Sequence, residues 1–261
     1  MAKAKEQPAT TLAKNDLFTV INTGMQQRQQ QKVVSTGLST SPYVQFLHNA
    51  AKNYRNVLTA LGNLADGTPV LVNNDEYTLL NPFEFLFVPS WFQYYGRSDG
   101  QGEILEILDI NSGRKPDGID WAEFVDAVLI LVLPNNVLQP ARIRYRGPKI
   151  PAFRAAHASW QDDCCADDWS ARSKAHKAQK DTGMPTWSWL LHTATMTNKI
   201  PKKPGSRPYD QCDSTSKMTP PSVLAMLKRL ATQAEFAESM QACITDHNNR
   251  VKDLQNLGAS K

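Results

Sequence analysis

Apolar residues change their spacing several times along the chain. Residues 1–41 hold few large apolar groups and include the polar tract Met25-Gln-Gln-Arg-Gln-Gln-Gln-Lys32. This stretch reads as a flexible arm, with a short ordered patch at Leu17–Ile21. After Ser41-Pro42, which suit a cap and a first turn, Tyr43, Phe46, Leu47, Ala50, Ala51, Tyr54, Leu58 and Leu61 recur at helical spacing. The spacing predicts a helix that stops near Asp66-Gly67. From Thr68 the runs shorten and become β-prone: Pro69–Val72, Phe83–Val88, Glu103–Ile110, Ala127–Leu133 and Ala141–Arg146, with Asn, Gly and Ser turn residues between them. Residues 147–221 show no period and read as irregular. A last helix is expected from Ser222, after Thr219-Pro-Pro221, towards Asn256. Val223, Met226, Leu227, Leu230, Ala234, Ala237, Met240, Ile244, Val251 and Leu254 form its broken stripe.

About five strands with no helix between most of them predict an α+β protein. Its centre would be an OB-like antiparallel β-barrel at about 68–150, flanked by an N-terminal and a C-terminal helix and preceded by the flexible arm. Strand number alone leaves a small sandwich open. The expected organisation is an arm at 1–41, an OB-like domain with its preceding helix and an irregular basic extension at 42–221, and the C-terminal helix at 222–261.

Composition narrows the class. The chain has 261 residues, 41% of them hydrophobic, which is enough for a core. Its longest apolar run, the 7 residues Ala127–Leu133, is far short of the roughly 18 that a membrane-spanning helix needs. Lysines near the start are not followed by an apolar segment, so no secretory signal is expected and the cytoplasm is the expected location. Four cysteines then read as reduced thiols rather than a disulfide scaffold.

The net charge of +4 conceals segregation. Residues 66–135 carry 3 basic and 12 acidic groups, and residues 136–210 carry 13 basic and 6 acidic. A concentrated basic segment attracts anions, unless the acidic segment folds over it.

Two constellations give the charge a chemistry. Phe83–Arg97 contains seven aromatics in fifteen residues. Alternation puts Phe83, Phe85 and Phe87 in the core. Pro89 then interrupts the ladder, leaving Trp91, Phe92, Tyr94, Tyr95 and Arg97 at a strand end, where rings can stack on bases. Arg142-Ile-Arg-Tyr-Arg146 would project three guanidinium groups from one face and Ile143 and Tyr145 from the other. With Lys149, Phe153 and Arg154 it reads as a strip that tracks phosphates, or as one side of a salt-bridged sheet. Lys199, Lys202, Lys203 and Arg207 lie among prolines, as in a loop that could close over a strand. Trp187 and Trp189 suit either stacking or core. Cys164 and Cys165 are adjacent and lack zinc spacing. Asp162, Asp163, Asp167 and Asp168 lack the partners of a nuclease, and no nucleophile, phosphate-loop or dinucleotide motif is present. No catalytic residue, metal or cofactor is expected.

The pattern of Val88-Pro-Ser-Trp-Phe-Gln-Tyr-Tyr95, of Ala127–Leu133 leading into Pro140-Ala-Arg-Ile-Arg-Tyr-Arg-Gly147, and of Met184-Pro-Thr-Trp-Ser-Trp189 with His192–Asn198 resembles phage-encoded proteins regarded as single-stranded-DNA-binding or replication-associated. The resemblance covers roughly residues 85–210. It implies an OB-like core that sheathes single strands during replication or recombination. Leu254–Lys261 is not the acidic tail by which many such proteins recruit partners. The expected function is therefore non-catalytic binding of single-stranded nucleic acid, DNA first. Stacking would come from Trp91, Phe92, Tyr94, Tyr95 and Phe153, and phosphate contacts from Arg97, Arg142, Arg144, Arg146, Lys149, Arg154, Lys202 and Lys203. No membrane partner is expected, and the C-terminal helix could join copies of the chain. A virion assembly protein and a metal-dependent nuclease are the rival classes.

Overall fold

A computed structural model describes residues 41–48, 53–98, 104–110, 116–118, 120–164, 183–200 and 209–259. The expected arm, Cys165, Asp167 and Asp168, and the loop with Lys202, Lys203 and Arg207 lie outside the described residues. The protein is α+β, with four helices around a strongly curled, half-barrel sheet. In chain order the elements are β1 (Tyr43–Phe46), α1 (Tyr54–Leu61), β2 (Pro69–Asn73), β3 (Glu76–Leu79), β4 (Phe83–Ser98), β5 (Ile104–Asp109), β6 (Trp121–Leu133) and β7 (Val137–Arg146). Then come α2 (Ile150–Cys164), β8 (Leu190–Lys199), β9 (Tyr209–Met218), α3 (Pro221–Leu230) and α4 (Ala234–Ala259).

Eight of the nine described strands run in the order β3-β2-β1-β7-β6-β4-β8-β9, and β5 pairs with β4 off this path. The 16-residue β4 has β6 along one edge and shares the other, with β8 against Phe83–Leu86 and β5 against Tyr94–Ser98. An all-antiparallel sheet was expected, but β1 pairs parallel with β7, Tyr43 opposite Arg142 and Val44 opposite Ile143.

β1 also corrects the first expected helix. Tyr43, Val44 and Phe46 are β-formers, and here they fill the place between β2 and β7 that would otherwise leave both edges unpaired. Arg142 N–H donates to the Pro42 carbonyl at 2.9 Å, extending the seam. Only Tyr54–Leu61 is helical, ending at Gly62 with φ of 83°, a conformation that favours glycine. Its Val57 packs against Leu47 and Val70.

The apolar run in β6 exists because both faces of the sheet are covered. Val128, Ile130 and Val132 point to one face, where Leu86, Val88 and Leu138 meet Val223, Leu227, Met240 and Ile244 of α3 and α4. Val125, Ala127, Leu129 and Leu131 point to the other, where Phe85, Phe87, Ile143 and Tyr145 meet Ile150, Phe153 and Ala156 of α2. Each fully buried aliphatic side chain contributes roughly 1.5–3 kcal/mol before the entropy it loses is counted. Pro89 does not end β4. Phe87 sits opposite Leu129 and Trp91 opposite Ala127, so Val88–Ser90 form a bulge that takes in the residue lacking an N–H. The bulge inserts two residues and so preserves the facing of the strand on either side.

The described parts of 147–221 are not irregular, as the lack of period had suggested. α2 is disguised by alanine. The hairpin β8–β9 is disguised by β9, whose inward positions are mostly polar and of which only Cys212 is buried. Trp187 and Trp189 belong to the core rather than to a stacking surface: they lie at a turn before β8, and Trp189 Nε1–H donates to the Met184 carbonyl at 3.0 Å. The expected single C-terminal helix is two, broken at Ala231–Gln233. Among the described residues no helix is long and apolar enough to cross a membrane.

Candidate nucleic-acid interface

Side chains directly opposite in a ladder share a face. Pairing therefore sorts the expected site residues into two groups. Phe92 and Arg144 both stand opposite Asp126, and Tyr94 and Arg146 both stand opposite Phe124, so these four and Arg142 lie on the face covered by α4. Trp91, opposite Ala127, Tyr95, opposite Glu123, and Arg97, opposite Trp121, lie on the α2 face. The sequence assigned all of them to one binding function; the sheet puts them on two faces.

On the α2 face the rings and cations are already engaged with the protein. Trp91 is half-buried among Phe87 at 5.4 Å, His157 at 4.7 Å, Trp160 at 6.0 Å and Phe153 at 6.1 Å between ring centroids. Phe153 is buried and offers no face to a base. Arg154 bonds both carboxylate oxygens of Glu123 at 2.6 and 2.7 Å, and Arg97 pairs with Glu106 at 3.1 Å. Lys149 donates to the Asp210 carbonyl at 2.9 Å and lies over the Phe46 ring, and burial pulls its pKa down. Glu123 comes from the acidic segment and Arg154 from the basic one, so at this pair the acidic segment does fold onto the basic one, whereas Arg97 and Glu106 both belong to the acidic segment.

On the α4 face Asp126, also of the acidic segment, meets Arg144 of the basic one, and Arg250 joins them. The three arginines of β7 project from one side, as alternation predicted, while Ile143 and Tyr145 are buried on the other. Tyr94, fully buried, is stacked between Phe92 at 5.3 Å and Phe124 at 5.4 Å, and its hydroxyl donates to Asp126 Oδ2 at 3.2 Å. Burial, then the Asp126 charge, push its pKa up. Arg146 is exposed, with its guanidinium over the Phe124 ring at 5.2 Å.

Arg144 grips Asp126 with both arms of its fork, Nε to Oδ1 at 2.7 Å and Nη2 to Oδ2 at 2.8 Å, and Arg250 of α4 approaches Oδ2 at 3.4 Å. Burial would raise the Asp126 pKa, but Arg144, then Arg250 and His247, outweigh it and hold the carboxyl below its ordinary value. Arg142 is half-buried, and burial, opposed by Asp246, lowers its pKa.

Between this wall and α4 lies a cavity of about 420 Å³. Tyr43, Asp126, Arg142, Arg144, His247 and Arg250 supply its chemistry, and Val44, Ala127 and Ile143 complete it. Two guanidinium groups, of Arg144 and Arg250, thus meet one carboxylate, and Arg142 lines the same cavity. Behind the wall, Ser41 N–H donates to Asp246 Oδ2 at 3.3 Å, tying the start of β1 to α4.

Sequence reasoning missed Tyr43, His247 and Arg250. Tyr43 had been assigned to a helix. His247 stands three residues after Ile244 and four before Val251, on the apolar stripe of α4, and a histidine at an inward position was the available signal. Among the described residues no three His, Cys, Asp or Glu side chains are grouped to hold a metal ion. Cys212 and Cys243 are free, buried thiols.

Such a pocket can bind a multiply hydrogen-bonded anion, because guanidinium forks match phosphate oxygens in geometry as well as charge. No family model, curated protein or solved structure matches this chain, and its function is therefore argued from this geometry.

Proposed function

We propose that the protein binds single-stranded nucleic acid, DNA by preference, through the α4 face of the sheet and without catalysing a reaction. The observation that carries this reading is the convergence of Arg142, Arg144 and Arg250 on a cavity whose rim includes Tyr43, a ring 37% exposed. A phosphate on the guanidinium groups would leave its base within reach of a stacking ring, the combination that single-strand binders use. Arg146 prolongs the strip beyond the cavity. The curled sheet serves here as an OB-like wall against which a strand is held, to protect or organise it in replication or recombination, as in the phage proteins that the sequence resembles. The α2 face, with Trp91 and Phe153, belongs to the scaffold in this reading.

The test is fluorescence anisotropy of a labelled oligonucleotide at two salt concentrations. Affinity should fall with salt by a slope of about −0.7 for each phosphate neutralised. Absence of salt-sensitive binding at micromolar protein overturns the proposal. A large assembly that forms without nucleic acid, seen by light scattering, would favour a virion protein instead.

A further inference from the structure

We infer that the pocket is a preorganised receptor for one phosphate group, and that Asp126 is its positioning residue. The inference rests on the nucleic-acid reading for its natural ligand, a phosphodiester of a single strand, but its chemistry is that of phosphate itself.

Counting charge makes Asp126 an obstacle, since a carboxylate in an anion pocket repels what the arginines attract. Geometry gives it the opposite role. Arg144 and Arg250 come from different elements, β7 and α4, and both reach the same carboxylate. Free arginine side chains would sample many rotamers, and a ligand would have to order them on arrival. Asp126 orders two of them beforehand and uses only part of each fork, because a guanidinium has five N–H donors and the carboxylate engages Nε and Nη2 of Arg144 and Nε of Arg250. Asp126 is itself fixed: it is 4% exposed, and the Tyr94 hydroxyl donates to it. Arg142 lines the same space, with Asp246 as its main acidic influence, and Tyr43, its neighbour across the parallel seam, lines the rim. Arg144 and Arg250 keep N–H donors beyond those that Asp126 takes, beside a space whose lining includes that one acid. That is how a receptor recognises tetrahedral oxygens rather than any anion.

The experiment sets charge against geometry. Wild type, Asp126→Asn and Arg250→Lys are titrated with a labelled oligonucleotide and, by ³¹P NMR at fixed ionic strength, with inorganic phosphate. Asp126→Asn makes the protein more positive, yet affinity for both probes should fall at least fivefold. Arg250→Lys keeps the charge but loses the fork, and should weaken both about threefold; because Arg250 is partly exposed, this variant decides the matter if Asp126→Asn does not fold. Unchanged or tighter binding in either folded variant overturns the inference. Wild type that binds phosphate but not the oligonucleotide, with both variants weakened, upholds the receptor and overturns the nucleic-acid reading. Wild type that binds the oligonucleotide but not phosphate, and is indifferent to both substitutions, overturns the receptor alone; no binding of either probe overturns both.

Discussion

Arg144 and Asp126 stand directly opposite each other on β7 and β6 and are joined by two hydrogen bonds of 2.7 and 2.8 Å. The pair has one foot in the interior and one in the pocket. Removing one partner of such a pair leaves an uncompensated buried charge, a loss of about 3 kcal/mol or more. Arg144→Met should therefore lower stability by about 3 kcal/mol in urea unfolding, softened where Arg250 remains beside the carboxylate. An unchanged midpoint would show that the pair carries no net stabilisation.

The same carboxyl has a pKa below its ordinary value. A depressed acid contributes stability that is complete above its unfolded pKa and is lost as pH falls through the lower folded value. Wild type should lose stability below about pH 4, the ordinary carboxylate range. Asp126→Asn, less stable at neutral pH, should show a shallower loss there. Parallel acid limbs for the two proteins would contradict this.

His192 works in a higher window. Its ring is fully buried against Phe85 at 5.3 Å, with Nδ1 2.8 Å from the Ser216 hydroxyl, and burial lowers its pKa to about 4. The folded state favours the neutral ring, so its contribution is complete above the ordinary pKa near 6.5 and declines from there to about pH 4. That shift corresponds to on the order of 3 kcal/mol. Replacement by Gln should remove the slope between these values in a pH series of unfolding midpoints, and a slope unaltered by His192→Gln would assign it elsewhere.

Trp91 and Tyr43 separate stability from binding. Trp91→Ala takes a ring out of the cluster around Phe87 and should cost about 2–3 kcal/mol while leaving oligonucleotide affinity within twofold, since it faces away from the pocket. Tyr43→Ala should change stability little and weaken binding several-fold, by the loss of about 1 kcal/mol of stacking. Reversed effects would move the interface to the other face.

Gly96 is fixed by contact rather than by its backbone angles. A Cβ there would lie 3.0 Å from two atoms of the Phe124 ring and 3.2 Å from the Tyr94 ring. Gly96→Ala should destabilise by about 1–3 kcal/mol, because both rings are packed and cannot yield. A neutral substitution would mean that the stack is looser than its centroid distances indicate.

How far the sequence could be read is clearest in β7. Arg142-Ile-Arg-Tyr-Arg146 alternates so regularly that strand, facing and charge were all evident. The apolar run of β6 was equally plain, because burial on both faces leaves no polar residue to interrupt it. Tyr43–Phe46 defeated the same reasoning, since four residues satisfy a helical stripe as well as a strand and the partner that decides, β7, is remote in sequence. β9 left no trace because its inward positions are mostly polar. The candidate site was half visible for the same reason: the β7 arginines announce themselves by period, while His247 and Arg250 acquire meaning only when α4 is laid across them. Trp91 and Arg144 were both expected to contribute to binding, and which face each occupies is decided by the ladder partners of β4 and β7, which lie far off in sequence.

The parallel seam between β1 and β7 has a consequence for how the protein is made. Tyr43 must wait for Arg142, and both must wait for Arg250, before the pocket has all its walls. At the usual pace of synthesis, about 5–20 residues per second, the first wall stands several seconds before the last has left the ribosome. The cationic wall of β7 is thus exposed and unassembled for part of that time. On the proposed reading, binding would register whether three distant parts of the polypeptide have found each other.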